Sequence, residues 1–225
     1  MLTRKRIDQV VGIINDWKRY YIAFNNAQYG HSNWQNPRWL TDNYVTEYVQ
    51  LYRRALATGG TVTLNELTVE QNERFIALMT SGECGVTALG LGIVLRIKGF
   101  EVQFCINKAD SHAFLLVEGQ MADITGVHRL DAESESAMFF EPKILTLTEF
   151  SDHWIPHDMY GWVLLRYWLA RYKWDWAELT LLDPNKPDNC MSPPTVHLGG
   201  SALEDLERYF KAGELAKQIP FLEKE

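Results

Sequence analysis

At Lys98-Gly99 the spacing of apolar side chains switches from helical to alternating, and that switch narrows the folds open to this chain more than any other feature. Upstream, Cys84, Ala88, Leu91 and Leu95 share one helical face, with Thr87 and Val94 beside it. Lys98 supplies a basic last turn, and Gly99 the residue that most easily takes a left-handed C-cap. Downstream, residues 101–106 and 112–118 read as strands, and 121–124 as a short third one after the turn at Glu118-Gly119-Gln120. Residues 143–147 read as a further strand. Short strands joined by tight turns build a small antiparallel sheet, and the helix before them packs on it. The class expected is α+β.

Helical patterns lie on both sides of this core. Residues 4–28 carry a stripe of Ile7, Val10, Val11, Ile14, Trp17, Tyr21 and Phe24, ended by Gly30 and the polar stretch 31–37. A second helix is expected over 42–56, closed by Gly59-Gly60, then an extended piece at 61–64 and a helix over 68–79 that stops at 80–82. Residues 160–176 form a strongly aromatic helical pattern, followed by a Pro/Asn/Asp loop at 183–194 and an amphipathic helix from about 201 to 212. No shift in composition marks a linker. One domain is expected over 1–225, made of a helical region 1–60, a core 61–150 and a helical C-terminal region 151–225. All eight tryptophans fall outside 61–150, so the flanks are expected to pack on the core rather than expose them.

Composition excludes several function classes. Apolar residues make up 46% and charged residues 23%, which argues against disorder. The aliphatic run 91–95 is broken by Gly92, so no spanning helix is expected, and the basic start runs into an amphipathic helix rather than a secretory signal. A net charge of −7 argues against a nucleic-acid binder, although residues 1–60 hold eight Lys/Arg against four Asp/Glu. Three cysteines make no even disulfide framework, so a reducing cytoplasm is the expected compartment.

One constellation carries chemistry. Cys84 follows a glycine-containing break, at the first turn of an apolar helix, where unpaired N–H groups and a partial positive charge favour the thiolate. Gly82 and Gly85 leave the sulfur approachable, and the Cys84 N–H can serve an oxyanion hole. His112 opens a strand and Asp123 ends the next one. Nucleophile, base and orienter thus occur in the order Cys84, His112, Asp123. If Val117 pairs with Gln120, Asp123 stands opposite Phe114 and diagonal to His112 on the same face. A slip of one residue would turn it away and leave Asp110 as the reserve acid.

Other chemistry-bearing residues read more plainly. Cys105 is expected to be a small core hydrophobe and Cys190 incidental. His153 and His157 have metal-ligand spacing, but Pro156 breaks a helix there and a surface loop is expected. A zinc site at Cys84, His112 and Asp123 lacks a close cysteine pair, and no phosphate-binding glycine loop occurs. Gly90 and Gly92 are expected to allow close helix packing.

The segments GECGVTALGLGIVLRIKGF and HAFLLVEGQMADITG resemble the cysteine helix and the His strand, turn and Asp strand of the transglutaminase-like and papain-like cysteine enzyme superfamily. They also resemble phage-borne proteins of this class. The resemblance covers residues 81–126 and implies a papain/transglutaminase-like core, with Cys84 as nucleophile, His112 as base and Asp123 as orienter. It implies a cysteine-dependent hydrolase or acyltransferase acting on an amide, peptide or glutamine carboxamide bond through a thioester. Papain-like peptidases place an oxyanion-hole glutamine shortly before the cysteine. Here residues 75–80 hold none, and Gln71 and Asn72 are the nearest amides. The alternative is an inactive binding module, such as a phage accessory protein gripping a host factor. A protein or peptide substrate is expected, with no cofactor, metal, nucleic acid or membrane.

Overall fold

The structure, a computed structural model, describes residues 2–28, 83–107, 112–128, 142–154, 159–174, 200–219 and 221. Among these residues the protein is mixed α/β, with five helices and one antiparallel sheet of five strands. The helices are α1 (Arg4–Gln28), α2 (Cys84–Ile97), α3 (Leu147–Trp154), α4 (Met159–Arg171) and α5 (Gly200–Ala216). The strands are β1 (Val102–Ile106), β2 (Ala113–Val117), β3 (Gln120–Asp123), β4 (Gly126–His128) and β5 (Lys143–Leu145), arranged β4-β3-β2-β1-β5.

The period switch falls where the sequence places it. Gly99 adopts φ +79°, its N–H bonds the Arg96 carbonyl, and Phe100 N–H bonds that of Leu95. This paired closure satisfies the last helical carbonyls and turns the chain into β1. Glu118 and Gly119 both have positive φ, 49° and 80°, the geometry of a two-residue hairpin turn whose twist matches the strands it joins. That turn sets Val117 opposite Gln120 and Leu115 opposite Ala122. The next step of the ladder brings Phe114 to Asp123, the register needed to bring Asp123 to the His112 side.

The structure departs from the sequence reading in several elements. From Cys84 to Leu95 every residue of α2 is buried, so the helix is enclosed on all sides, not on one face. Sheet residues Phe104 and Leu115 meet it at Gly92, while Trp17 of α1 and Leu165 of α4 meet it at Gly90. Gly92 therefore admits the sheet, and only Gly90 admits helices. The strand expected over 143–147 stops at Leu145. There Thr146 and Glu149 form a capping box, Glu149 N–H donating to Thr146 Oγ1 at 3.2 Å and Thr146 N–H to Glu149 Oε2 at 2.9 Å. That box starts α3, which strand patterning does not reveal. Strand β4 is likewise unexpected, being only three residues long. The aromatic helix ends at Arg171, with Lys173 at φ 60°, and α5 runs on to Ala216. The helices expected over 42–56 and 68–79, the extended piece at 61–64 and the loop 183–194 lie outside the described residues.

Large aromatics join the flanks to the core. Trp17 and Trp168 meet edge to face at 5.1 Å, and Trp168 Nε1–H donates to the Gly90 carbonyl at 2.8 Å. Such a ring pair contributes about 0.5–1.5 kcal/mol beyond the area it buries. Helix α5 packs on both α1 and α4, and those two meet α2 together at Gly90.

Candidate active site

Helix α2 begins at Cys84 itself. Its first intrahelical bond runs from Thr87 N–H to the Glu83 carbonyl at 3.0 Å. The N–H groups of Cys84, Gly85 and Val86 precede that bond, so the helix start offers backbone donors near the sulfur-bearing residue. His112 stands just before β2, held at both ends by Asn107. The His112 N–H donates to Asn107 Oδ1, and the Asn107 N–H donates to the His112 carbonyl, each at 3.0 Å. The ring lies nearly parallel to Phe114, with 6.3 Å between centroids, which limits its tilt.

Cys84 and Asp123 both reach this ring. His112 Nε2 lies 3.1 Å from Asp123 Oδ2, and Cys84 hydrogen-bonds the imidazole as well. With Nε2 turned to the carboxylate, Nδ1 is the nitrogen left for sulfur. Asp123 Oδ1 accepts from Thr125 N–H at 2.8 Å and from the Thr125 hydroxyl at 2.5 Å. Because that hydroxyl spends its proton on Asp123, it accepts from His128 Nε2–H at 2.7 Å. The result is one continuous chain from Cys84 through His112, Asp123 and Thr125 to His128. Cys84 is 5% exposed, and His112 and Asp123 are each 7% exposed.

Electrostatics agree with the geometry. Burial alone would push His112 toward the neutral form. Its hydrogen bonds to Asp123 and Cys84 and their charges outweigh that, raising its pKa to about 10. Burial disfavours the Asp123 carboxylate too, yet the bond and charge of His112, with help from Thr125 and His128, hold it below its ordinary range. A buried ionic chain of this kind is poor packing material, since apolar groups of equal volume would stabilise the core as well or better. Its cost points to use.

Of the residues singled out in the sequence, Cys84, His112 and Asp123 come together. Cys105 sits buried with Phe114 and Met121, away from this chain, and burial first of all pushes its thiol up to about 12. Gln71, Asn72, Asp110, His157 and Cys190 lie outside the described residues. His112 interacts with both Cys84 and Asp123, and among the described residues no His/Cys/Asp/Glu group is arranged to hold a metal ion. No helix among them is long and apolar enough to cross a membrane.

Sequence reasoning passes over Asn107, Thr125, His128 and Lys18. A Thr two residues after an acid is a recognisable side-chain turn. Lys18 leaves a clearer mark, since it interrupts the apolar stripe of α1 between Ile14 and Tyr21. It is 0% exposed and interacts electrostatically with Asp123. No protein-family model, curated protein or solved structure matches the chain.

Proposed function

We propose that the protein is a cysteine-dependent hydrolase or acyltransferase with a transglutaminase-like core, acting on an amide, peptide or glutamine carboxamide bond. The observation that carries this reading is the imidazole of His112, bonded to Cys84 on one side and to Asp123 at 3.1 Å on the other. In the proposed cycle the Cys84 thiolate attacks the carbonyl carbon, and the Cys84 N–H at the helix start receives the oxyanion. The C–N bond then breaks, the amine leaves with the proton held by His112, and a thioester remains on Cys84. His112 takes a proton from the incoming water or amine, which attacks the thioester and releases sulfur as the thiolate. Asp123 keeps the ring in one tautomer and orientation throughout. The substrate proposed is a protein or peptide in a reducing compartment.

Alkylation tests the reading directly. In the native protein, iodoacetamide at neutral pH should label Cys84 much faster than Cys105 and faster than a model thiol, which titrates at about 8.5. His112→Ala should remove that excess reactivity with the fold intact. Asp123→Asn should reduce it less, because an orienter does not itself move the proton. Equal labelling of wild type and folded His112→Ala would discard the catalytic pair and leave the non-catalytic binding module as the better account.

A further inference from the structure

Helix α1 carries a completely buried lysine, Lys18, that feels the charge of this chain. Position 18 lies one turn beyond Ile14 and one turn before Tyr21 and Ile22, all buried, so its neighbours on the helix are core residues. The helix packs on α2, which carries Cys84, and on β4, which carries His128. Lys18 is completely buried there, within electrostatic reach of Asp123. An apolar side chain such as Met would fill similar volume without the cost of desolvating an ammonium.

We propose that Lys18 is a positioning residue of this site, a buried cation that adds to His112 in favouring the Asp123 carboxylate and so helps keep His112 aimed at Cys84. The inference rests on the catalytic reading above. Charge balance supports it. A thiolate, an imidazolium and a carboxylate carry a net −1, and the Lys18 ammonium brings the resting site to zero. After acylation the sulfur is a neutral thioester and His112 has given its proton to the departing amine. Asp123 and Lys18 then remain, again summing to zero. Without Lys18 a net buried charge would persist in both states, an expensive condition away from water.

Among the described residues, the other ionisable groups around α1 fall on two sides. On the site side stand Asp123, His112, His128 and Cys84. Asp16 faces α4, where Arg171 lies at 3.6 Å and Tyr172 donates to it at 3.4 Å, and Arg19 also lies within electrostatic reach of Arg171. On α5, Glu207, Arg208, Lys211 and Glu214 are exposed, and Lys217 pairs with Glu214. Burial, opposed in part by Asp123, lowers the Lys18 pKa to about 7, so its charge is sensitive to what surrounds it near neutrality.

The test is the pH profile of Cys84 alkylation by iodoacetamide, followed by mass spectrometry on the whole chain. Removing a cation raises the proton affinity of every neighbouring group. Lys18→Met should therefore move the profile to higher pH by about one unit, and Lys18→Arg should restore it. A merely structural lysine would lower the melting temperature of Lys18→Met and leave the profile in place. That outcome in a folded variant overturns the proposal. Should Lys18→Met fail to fold, wild type and Asp123→Asn labelled with 13C at the lysine ε-carbon decide the matter by NMR. The Lys18 resonance should titrate below the usual lysine range and fall further, by about one unit, when Asp123 loses its charge. A Lys18 titration that ignores Asp123 overturns the countercharge. An unreactive Cys84 in the wild type with the Lys18–Asp123 linkage intact would overturn the catalytic reading instead, which separates the two failures.

Discussion

His112 and Lys18 bury opposite tendencies a short distance apart, and stability should record both. The folded pKa of His112 is raised from 6.5 to about 10, so its contribution is fully present below pH 6.5 and disappears as pH rises through 10. Lys18 is the reverse case. Its pKa falls from 10.5 to about 7, so the unfolded chain binds the extra proton in that interval and stability rises with pH across it. The two slopes oppose each other from about pH 7 to pH 10 and should leave the wild type nearly flat. His112→Ala should then gain stability with rising pH, and Lys18→Met should lose it. Each slope is limited to about 1.4 kcal/mol per pH unit for one proton. Urea midpoints at pH 7, 8.5 and 10 check this, and parallel curves for the three proteins would contradict it. Only half of this pair is legible in the sequence. A histidine leading a strand after a helical cysteine announces itself, whereas Lys18 shows in the sequence only as a break in the apolar stripe of α1, and its role depends on the helices that cover it.

Among the elements, α2 shows what two glycines in one helix can mean. A Cβ on Gly90 would stand 2.5 Å from Trp17 Cζ3 and 3.1 Å from Leu165 Cδ2. The Trp17 ring is fully buried and packed against Trp168, Tyr20 and Tyr21, so it has little room to move. Gly90→Ala gains about 1 kcal/mol of helix propensity but meets an overpacking penalty of about 1–3 kcal/mol, and a net loss is expected. On α1, Gly12 has nothing within 4 Å of such a Cβ, and Gly12→Ala should stabilise by about 0.5–1 kcal/mol. Opposite signs in denaturant midpoints are the expected result, and a stabilising Gly90→Ala would show that Trp17 yields. The sequence announces that these glycines matter through their spacing. It cannot say that one faces α1 and α4 and the other the sheet, because that depends on how the layers stack.

At the scale of the whole molecule, the helices that precede and follow the sheet in sequence share buried polar joints as well as rings. Arg171 at the end of α4 pairs with Asp16 of α1 and donates to the carbonyls of Ala216, Lys217 and Ile219 at 3.4, 3.4 and 2.7 Å. A cation at these carbonyls also suits the negative end of α5. Tyr20 of α1 donates to the Leu164 carbonyl at 2.6 Å. A fragment limited to residues 61–150 would lose α1, α4 and α5 and uncover α2 along the face where Trp17, Trp168 and Leu165 now pack. It should be insoluble or unfolded, as read by circular dichroism and gel filtration. A soluble fragment with a sharp melt and a reactive Cys84 would mean the flanking helices are dispensable.

What the sequence determined by itself is local. The change of apolar period at Lys98-Gly99, the glycine cap and the two-residue turn at Glu118-Gly119 dictate a helix followed by a hairpin. The structure closes that turn over Glu118 and Gly119, which selects, of the registers open to the sequence, the one that brings Asp123 to the His112 side. These features depend on residues a few positions apart, where backbone sterics and hydrogen bonds act without help from the remaining chain. Tertiary structure decided the enclosure of α2 on all sides, the addition of β4 and β5 to the sheet, and the burial of Lys18 within electrostatic reach of Asp123. Those outcomes join residues up to about a hundred positions apart, and only packing brings them within reach. Helix α1, which packs on β4 and on the cysteine helix, buries Lys18 only because the fold brings elements distant in sequence together.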